Sequence, residues 1–318
     1  MPPLEGARVL VTGAMGFLGK EVCRALGEAK AKVYPVTRQT YDIRNEAELL
    51  TAVCLARPSV IVHLAASHAG APDFWLLRNT LTMGMNVVHA AALQQARLVW
   101  VAPVACLPPD PVKPPGSAMM PVPEIDRLLA GGLDPSRPHA AAVRSVAALI
   151  QSYRKKYEDW QAVGLLLPDL YGDGDSAGPV SRALVDAVNA PSWPEPDKAP
   201  RESISFTLLH VWDAACAVLE ACRKEPAPSG ILRLPGTRIR ASELDRFIAE
   251  RFNGAIECAE EDGKKGPQEL RVVPLGWKPV FSLARGLRQY WDSLRRDPDP
   301  AAPLMPSTCD PWDGDVGT

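Results

Sequence analysis

The chain has no apolar run of 18 residues, no excess of either charge and no C-x-x-C pair. Each absence removes a class of function. Without such a run there is no candidate for a membrane-spanning helix. The net charge is −2 over 318 residues, with arginines and lysines scattered, so nothing points to a nucleic-acid or membrane-surface partner. The seven cysteines stand singly. That reads as reduced intracellular thiols rather than a disulfide framework, and no metal site is expected. The opening MPPLEGARVLVTG lacks a basic segment ahead of an apolar one. No secretory leader is expected, and the expected location is the cytoplasm. What is present is ordinary for a globular chain: 47% hydrophobic and 23% charged residues, enough for a sizeable core. Of the 32 prolines, 17 fall in 103–123, 191–200 and 296–311, which marks loops and a tail.

Short apolar runs alternate with helical patterns through the first half. ARVLVTG (7–13), AKVYPVTR (31–38), VIVHLAA (60–66), RLVWVAP (97–103) and AVGLLLP (162–168) read as buried strands. Residues 17–29, 45–58, 80–96 and 139–159 read as the helices between them. This alternation implies βαβ units and a parallel sheet, an α/β doubly wound fold of Rossmann type. Beyond about 170 the pattern loosens. Residues 181–189, 211–224, 241–253 and 282–295 look helical, and ILRLP (231–235) looks like a short strand. In 241–253, Leu244, Phe247, Ile248 and Phe252 share a face, with Ser242 as the expected N-cap. The expected organisation is a nucleotide-binding Rossmann domain over 1–170, to which later segments return, and a smaller C-terminal α/β lobe over 171–295. A flexible Pro- and Asp-rich tail is expected over 296–318.

VLVTGAMGFLGKEV places Gly13, Gly16 and Gly19 between the first strand and the first helix, with Phe17 and Leu18 opening the helix. That spacing suits a dinucleotide. One glycine permits a tight turn, one lets backbone N–H groups approach a pyrophosphate, and one lets the helix pack close to the strand. Arg38 follows the second strand, where an arginine suits the 2′-phosphate of NADP and an acidic residue would suit NAD. NADP(H) is therefore the expected dinucleotide if one is bound. Asp42 and Ile43 are positioned to flank an adenine ring.

In this order the motifs resemble the extended short-chain dehydrogenase/reductase family of nucleotide-sugar epimerases and reductases, and within it the GDP-L-fucose synthase branch. The resemblance spans roughly 7–291 and rests on the glycine loop and on VHLAA (62–66), NTLTMGMNVVHAA (79–91), PDLYGDGD (168–175), LLHVWDAACAVL (208–219) and LGWKPVFSLARGLRQYW (275–291). It implies that Leu64, Ala65 and Ala66 pass the adenosine ribose, and that Asn79 belongs to the cofactor site. It also implies dimerisation through the helices at 80–96 and 139–159, with a second copy or with a paralogue, and a nucleotide-sugar ligand.

The same resemblance exposes what is missing. Family enzymes use a Ser or Thr after the fourth strand, a Tyr acid and a Lys four residues on. Those positions read Val104, His139 and Val143 here, and only Cys106 remains of the first site. None of the six tyrosines has a lysine four residues on. Arg144 lies about 100° round the helix from position 143. The family's histidine after the YGP loop is absent, and its diphosphate-binding arginine position is Phe206, with Arg201 the nearest substitute.

Three readings follow. In the first, the fold persists while catalysis has lapsed, and the protein is a structural or regulatory partner that keeps or has lost NADP(H). In the second, an enzyme has rebuilt its chemistry on His139, an acid or base near neutral pH, and Cys106, with Asp169 and Tyr171 nearby. Against it, a lone histidine at a helix start is more often a capping residue, and a lone cysteine more often a small buried hydrophobe. In the third, the Pro-rich stretch 107–123 serves a scaffold module. The orientation of His139 and the packing of Val104 and Val143 separate the first two.

Overall fold

The computed structural model describes residues 4–66, 73–107, 126, 128, 129, 137–175, 178–189, 205–225, 230–252 and 275–295. The expected tail, the Pro-rich stretch beyond Leu107, the 191–200 stretch and Arg201 lie outside them.

The first half builds as its periodicity dictates. Strands β1 (Arg8–Thr12), β2 (Lys32–Val36), β3 (Val60–His63), β4 (Arg97–Pro103) and β5 (Ala162–Leu167) alternate with helices α1 (Phe17–Glu28), α2 (Glu46–Ala56), α3 (Asp73–Gln94) and α4 (Pro138–Lys156). Strand β8 (Gly230–Arg233) returns to complete a six-stranded parallel sheet of order β2-β1-β3-β4-β5-β8. Successive side chains point to opposite faces, so each strand feeds two cores. Leu10, Ile61, Leu98 and Trp100 face one core, with α2, α3 and α4. Val9, Val11, Val60, Val62 and Val99 face the other, with α1 and α6 (Val211–Arg223).

The chain leaves β1 toward β2 on one side and leaves β3 toward β4 on the other. The crevice between the β1 and β3 ends is thus the switch point where open α/β sheets take their ligands. Thr12 Oγ1 and His63 Nδ1 share a buried hydrogen bond of 2.7 Å across those ends. At the opposite edge the Arg97 guanidinium donates to the carbonyls of Cys222 (2.6 Å) and Lys224 (3.1 Å) at the end of α6, and to Gln161 Oε1 (2.9 Å). A cation there meets the negative end of the helix dipole.

Sequence reasoning missed a second sheet. Strands β6 (Asp169–Tyr171), β7 (Ser205–His210) and β9 (Thr237–Arg240) form it, β6 parallel and β9 antiparallel to β7. They cover a third core with α5 (Pro179–Asn189), α7 (Ala241–Phe252) and α8 (Leu283–Leu294), around Tyr171, Leu184, Leu208, Ile248 and Tyr290. Tyr290 Oη lies 2.6 Å from Ser181 Oγ and donates to the Asp175 carbonyl at 2.8 Å. Asp213 on α6, wholly buried, accepts the N–H groups of Val280 (2.8 Å) and Phe281 (3.0 Å) and so ties the large sheet's helix layer to the segment entering α8.

Two local expectations are corrected. Helix α3 runs from Asp73, seven residues before position 80; the extension does not show in the pattern because Phe74 and Trp75 are exposed and break its apolar stripe, while Asp73 suits the first turn. Helix α7 begins at Ala241, so Ser242 lies inside it, and Glu243 Oε2 accepts the Arg240 N–H at 2.8 Å instead. Leu244 and Ile248 are buried and Phe247 packs against the same core as expected.

Burial holds the His63 and His210 rings neutral, at about 4. The unfolded chain therefore binds protons near pH 6.5, before the folded chain does. Stability contributed by the neutral rings is full above that pH and is lost as pH falls toward 4. For His63 the loss reaches about 3 kcal/mol. Urea midpoints should fall between pH 7.5 and pH 5, and His63→Gln should flatten the dependence; equal midpoints at both pH values would contradict this.

Candidate functional site

The glycine loop has the geometry its spacing requires. Gly13 has φ +73°, a left-handed backbone that side chains rarely adopt. A Cβ there would stand 2.7 Å from the Ala65 nitrogen, so only glycine lets the β1 loop lie on the chain leaving β3. A Cβ at Gly19 would collide with the Gly13 carbonyl and approach Ala14 C to 2.8 Å. Gly16 caps α1 with no side-chain hydrogen bond, leaving the first-turn N–H groups of Phe17 and Leu18 at the helix's positive end. Leu64, Ala65 and Ala66 border this crevice immediately after β3. Asn79 is half-buried on α3.

Arg38 is exposed beyond β2 and makes no hydrogen bond or ion pair with the described residues. Ile43 is buried in the first core, so its backbone is the part that can border an adenine. Asp42 is gripped by Arg44, whose Nε donates to Oδ1 and Oδ2 at 2.9 and 3.0 Å. Asn86 on α3 donates to the carbonyls of Ile43 (3.0 Å) and Arg44 (3.1 Å), fixing this loop against α3. A dinucleotide fits the residues present: backbone donors at a helix N-terminus, a close-approach glycine pair and an exposed guanidinium beyond β2.

The opposite end of the crevice differs in chemistry. Residues Val104–Cys106 form a single 3-10 turn after β4. Val143 is 3% exposed in the first core, and Val104 packs against that same core. Cys106 is buried, which pushes its thiol up to about 11 although Arg137 and Arg144 pull the other way. At neutral pH it is a thiol, not a thiolate. His139 sits in the first turn of α4, and burial lowers its pKa. Its Nδ1 is buried without a hydrogen-bond partner among the described residues.

Sequence reasoning missed Arg137 and the reach of Arg144. The helical wheel turns Arg144 away from position 143, yet the side chain is buried and its Nη2 donates to the Cys106 carbonyl at 3.2 Å. Arg137 Nη2 donates to the Ala105 carbonyl. Two guanidiniums thus hold the turn from α4. The charge and proximity of R-P-H and V-R-S were visible in sequence; which carbonyls they would reach was not. Asp169 is exposed on β6, while Tyr171 is buried, edge-on to His210 at 5.3 Å, and its hydroxyl is raised by burial. Phe206 lies on β7 against the third core. Among the described residues no group of His, Cys, Asp and Glu side chains could hold a metal ion, and no helix is long and apolar enough to cross a membrane.

The family described as "NAD dependent epimerase/dehydratase family" matches residues 9–231. A GDP-L-fucose synthase of Sinorhizobium fredii (strain NBRC 101917 / NGR234) is 24% identical over 320 residues, covering 92% of this chain and 96% of that protein. The crystal structure of a GDP-L-fucose synthetase from Naegleria fowleri superposes with a TM-score of 0.72 at 17% identity, covering 91% of this chain and 92% of that one. The same protein bound to NADP gives 0.69 at 17% identity, covering 90% and 91%.

Cys54 is exposed on α2, whereas Cys106 is buried with a raised pKa. At pH 7.5 iodoacetamide should label Cys54 in the native protein and leave Cys106 unmodified, as read by peptide mass spectrometry. Rapid labelling of Cys106 would contradict the buried-thiol assignment.

Proposed function

The chain belongs to the NAD dependent epimerase/dehydratase family of extended short-chain dehydrogenase/reductases, and on that premise we propose that it is a nucleotide-sugar epimerase/reductase-like protein whose catalysis has lapsed. In this reading it keeps a site for NADP(H) and works, in the cytoplasm, as a structural or regulatory partner of an active enzyme or assembly. The observation that carries the reading is the packing of Val104 and Val143. At the positions that resemble the family's Ser and Lys, one apolar core takes both side chains. Neither can hydrogen-bond a reacting oxygen, tune an acid or hold a ribose.

A bound NADP(H) would supply hydride chemistry. Gly13, Gly16, Phe17, Leu18 and Gly19 would hold its pyrophosphate, and Arg38 its 2′-phosphate. Asp42, Ile43, Leu64, Ala65, Ala66 and Asn79 would border its adenosine half. The partner reading is supported by α3 and α4. Met85 and Leu93 on α3 are 48% and 57% exposed, and Tyr153 and Tyr157 of α4 are only partly buried, with Tyr153 Oη 3.0 Å from His89 Nδ1 of α3. A second copy or a paralogue would cover them in a four-helix arrangement.

One observation favours a second reading, an active NADP(H)-dependent nucleotide-sugar epimerase/reductase. The buried Nδ1 of a neutral His139, without a hydrogen-bond partner among the described residues, is what an acid–base group awaiting substrate would present. Cys106 could then act only as a proton donor, given its raised pKa.

Calorimetry with NADPH, NADP⁺ and NADH separates these readings when paired with a turnover assay on GDP-4-keto-6-deoxymannose. The lapsed-enzyme reading expects NADPH bound at micromolar Kd, NADH bound at least tenfold more weakly, and no turnover above background. Turnover lost in His139→Gln would establish the second reading. No binding at millimolar cofactor would remove the cofactor from both. Light scattering should show a dimer that Leu93→Glu converts to monomer; a monomeric wild type would point to a paralogue as the partner.

A further inference from the structure

The loop after β2 carries charges of both signs, Arg38, Asp42 and Arg44, where an NADP-type site should carry one. Arg38 is the cation suited to a ribose 2′-phosphate, and Asp42, four residues on, is an anion whose pKa is lowered chiefly by its hydrogen bonds to Arg44 and least by the charge of Arg38. A bare carboxylate there would oppose a phosphate dianion. In this fold it is not bare. Arg44 Nε contacts both carboxylate oxygens, and the Arg44 N–H donates to Oδ1 at 3.0 Å.

The pairing is built rather than incidental. Glu48 Oε2 on α2 accepts the Asp42 N–H at 2.7 Å, and Glu48 Oε1 accepts from Asn45 Nδ2 at 3.0 Å. Asn86 on α3 clamps the carbonyls of Ile43 and Arg44 from the other side. Both helices therefore fix the backbone from which Arg44 reaches Asp42. An exposed pair with free side chains would contribute little. Here the backbone N–H and side chain of one residue converge on one carboxylate, so its charge is cancelled in place.

We infer that Arg44 is a specificity-determining residue: by neutralising Asp42 it lets Arg38 accept a nucleotide phosphorylated on its ribose 2′ oxygen. The inference rests on the cofactor reading above and adds a residue to it. Arg44 touches the nucleotide's phosphate only through the field it removes.

The test uses two probes that differ only in the 2′-phosphate, 2′,5′-ADP and 5′-AMP. Affinities are measured on the full chain at about 0.01 M ionic strength, where exposed charges are least screened. Wild type should prefer 2′,5′-ADP at least tenfold. Arg44→Gln should reduce that preference roughly fivefold, the scale of one uncovered surface charge, with 5′-AMP affinity unchanged. Asp42→Asn in the Arg44→Gln background should restore the preference, since neither charge is then present. If Arg44→Gln leaves the ratio intact, or weakens both probes equally, Arg44 merely shapes the loop and the inference fails while the cofactor reading stands. If wild type binds neither probe, or shows no preference, the NADP reading itself fails and takes the inference with it.

Discussion

At the C-terminal edge of the large sheet, β1 and β3 are held in contact by a buried Thr12–His63 hydrogen bond, and Gly13 lies directly on Ala65. Every feature on the nucleotide side of the molecule hangs from that seam. It sets where the N-terminus of α1 points. It brings Leu64, Ala65 and Ala66 beside the glycine loop. It fixes the distance across which α3 must reach to clamp the loop after β2. A buried polar pair is costly unless satisfied, and each of these two groups has the other as partner. The closeness also excludes any side chain at position 13, so the loop sequence and the sheet topology constrain one another.

The two ends of the crevice have diverged in physical character. One keeps polar backbone, an exposed guanidinium and a carboxylate paired with Arg44. The other is partly taken into the interior. Val104 and Val143 join the core with α3 and α4, and two arginines that could have faced a ligand hold backbone carbonyls instead. A lysine at 143 would now bury an ammonium beside apolar groups unless the turn reopened. The loops that would take a nucleotide follow β1, β2 and β3, whereas the substituted positions follow β4 and lie on α4, although Ile43 and Val143 share the first core.

The parallel sheet was legible because its strands are continuous apolar runs punctuated by Gly13, Pro58 and Pro168, and the helices between them keep a 3.6-residue stripe. The small sheet was not. β6 has three residues, β9 is the mostly exposed TRIR, and their partner β7 lies 30 or so positions from either. Pairing of that kind is decided by tertiary packing around Tyr171 and Ile239, which leaves no local period to read. The substituted Ser, Tyr and Lys positions could be located from motif order alone. Whether both valines would pack into the first core, and whether Arg144 would turn inward, depended on how α4 sits on the 104–106 turn. Side-chain reach and loop path decide that, and neither is encoded in spacing.

Arg97 begins β4, and the carbonyls that take up its charge belong to Cys222 and Lys224, 125 and 127 positions later in the chain. A ribosome delivering this protein would therefore release the whole glycine loop and the first five strands well before that cation has its acceptors. During synthesis the half-made sheet has to keep an edge open to water. Closure comes late, when α6 docks and β8 pairs with β5. The nucleotide half and the C-terminal half are thus one folding unit in time, and a nascent chain stalled between them would expose the base of the sheet to whatever chaperone or protease meets it first.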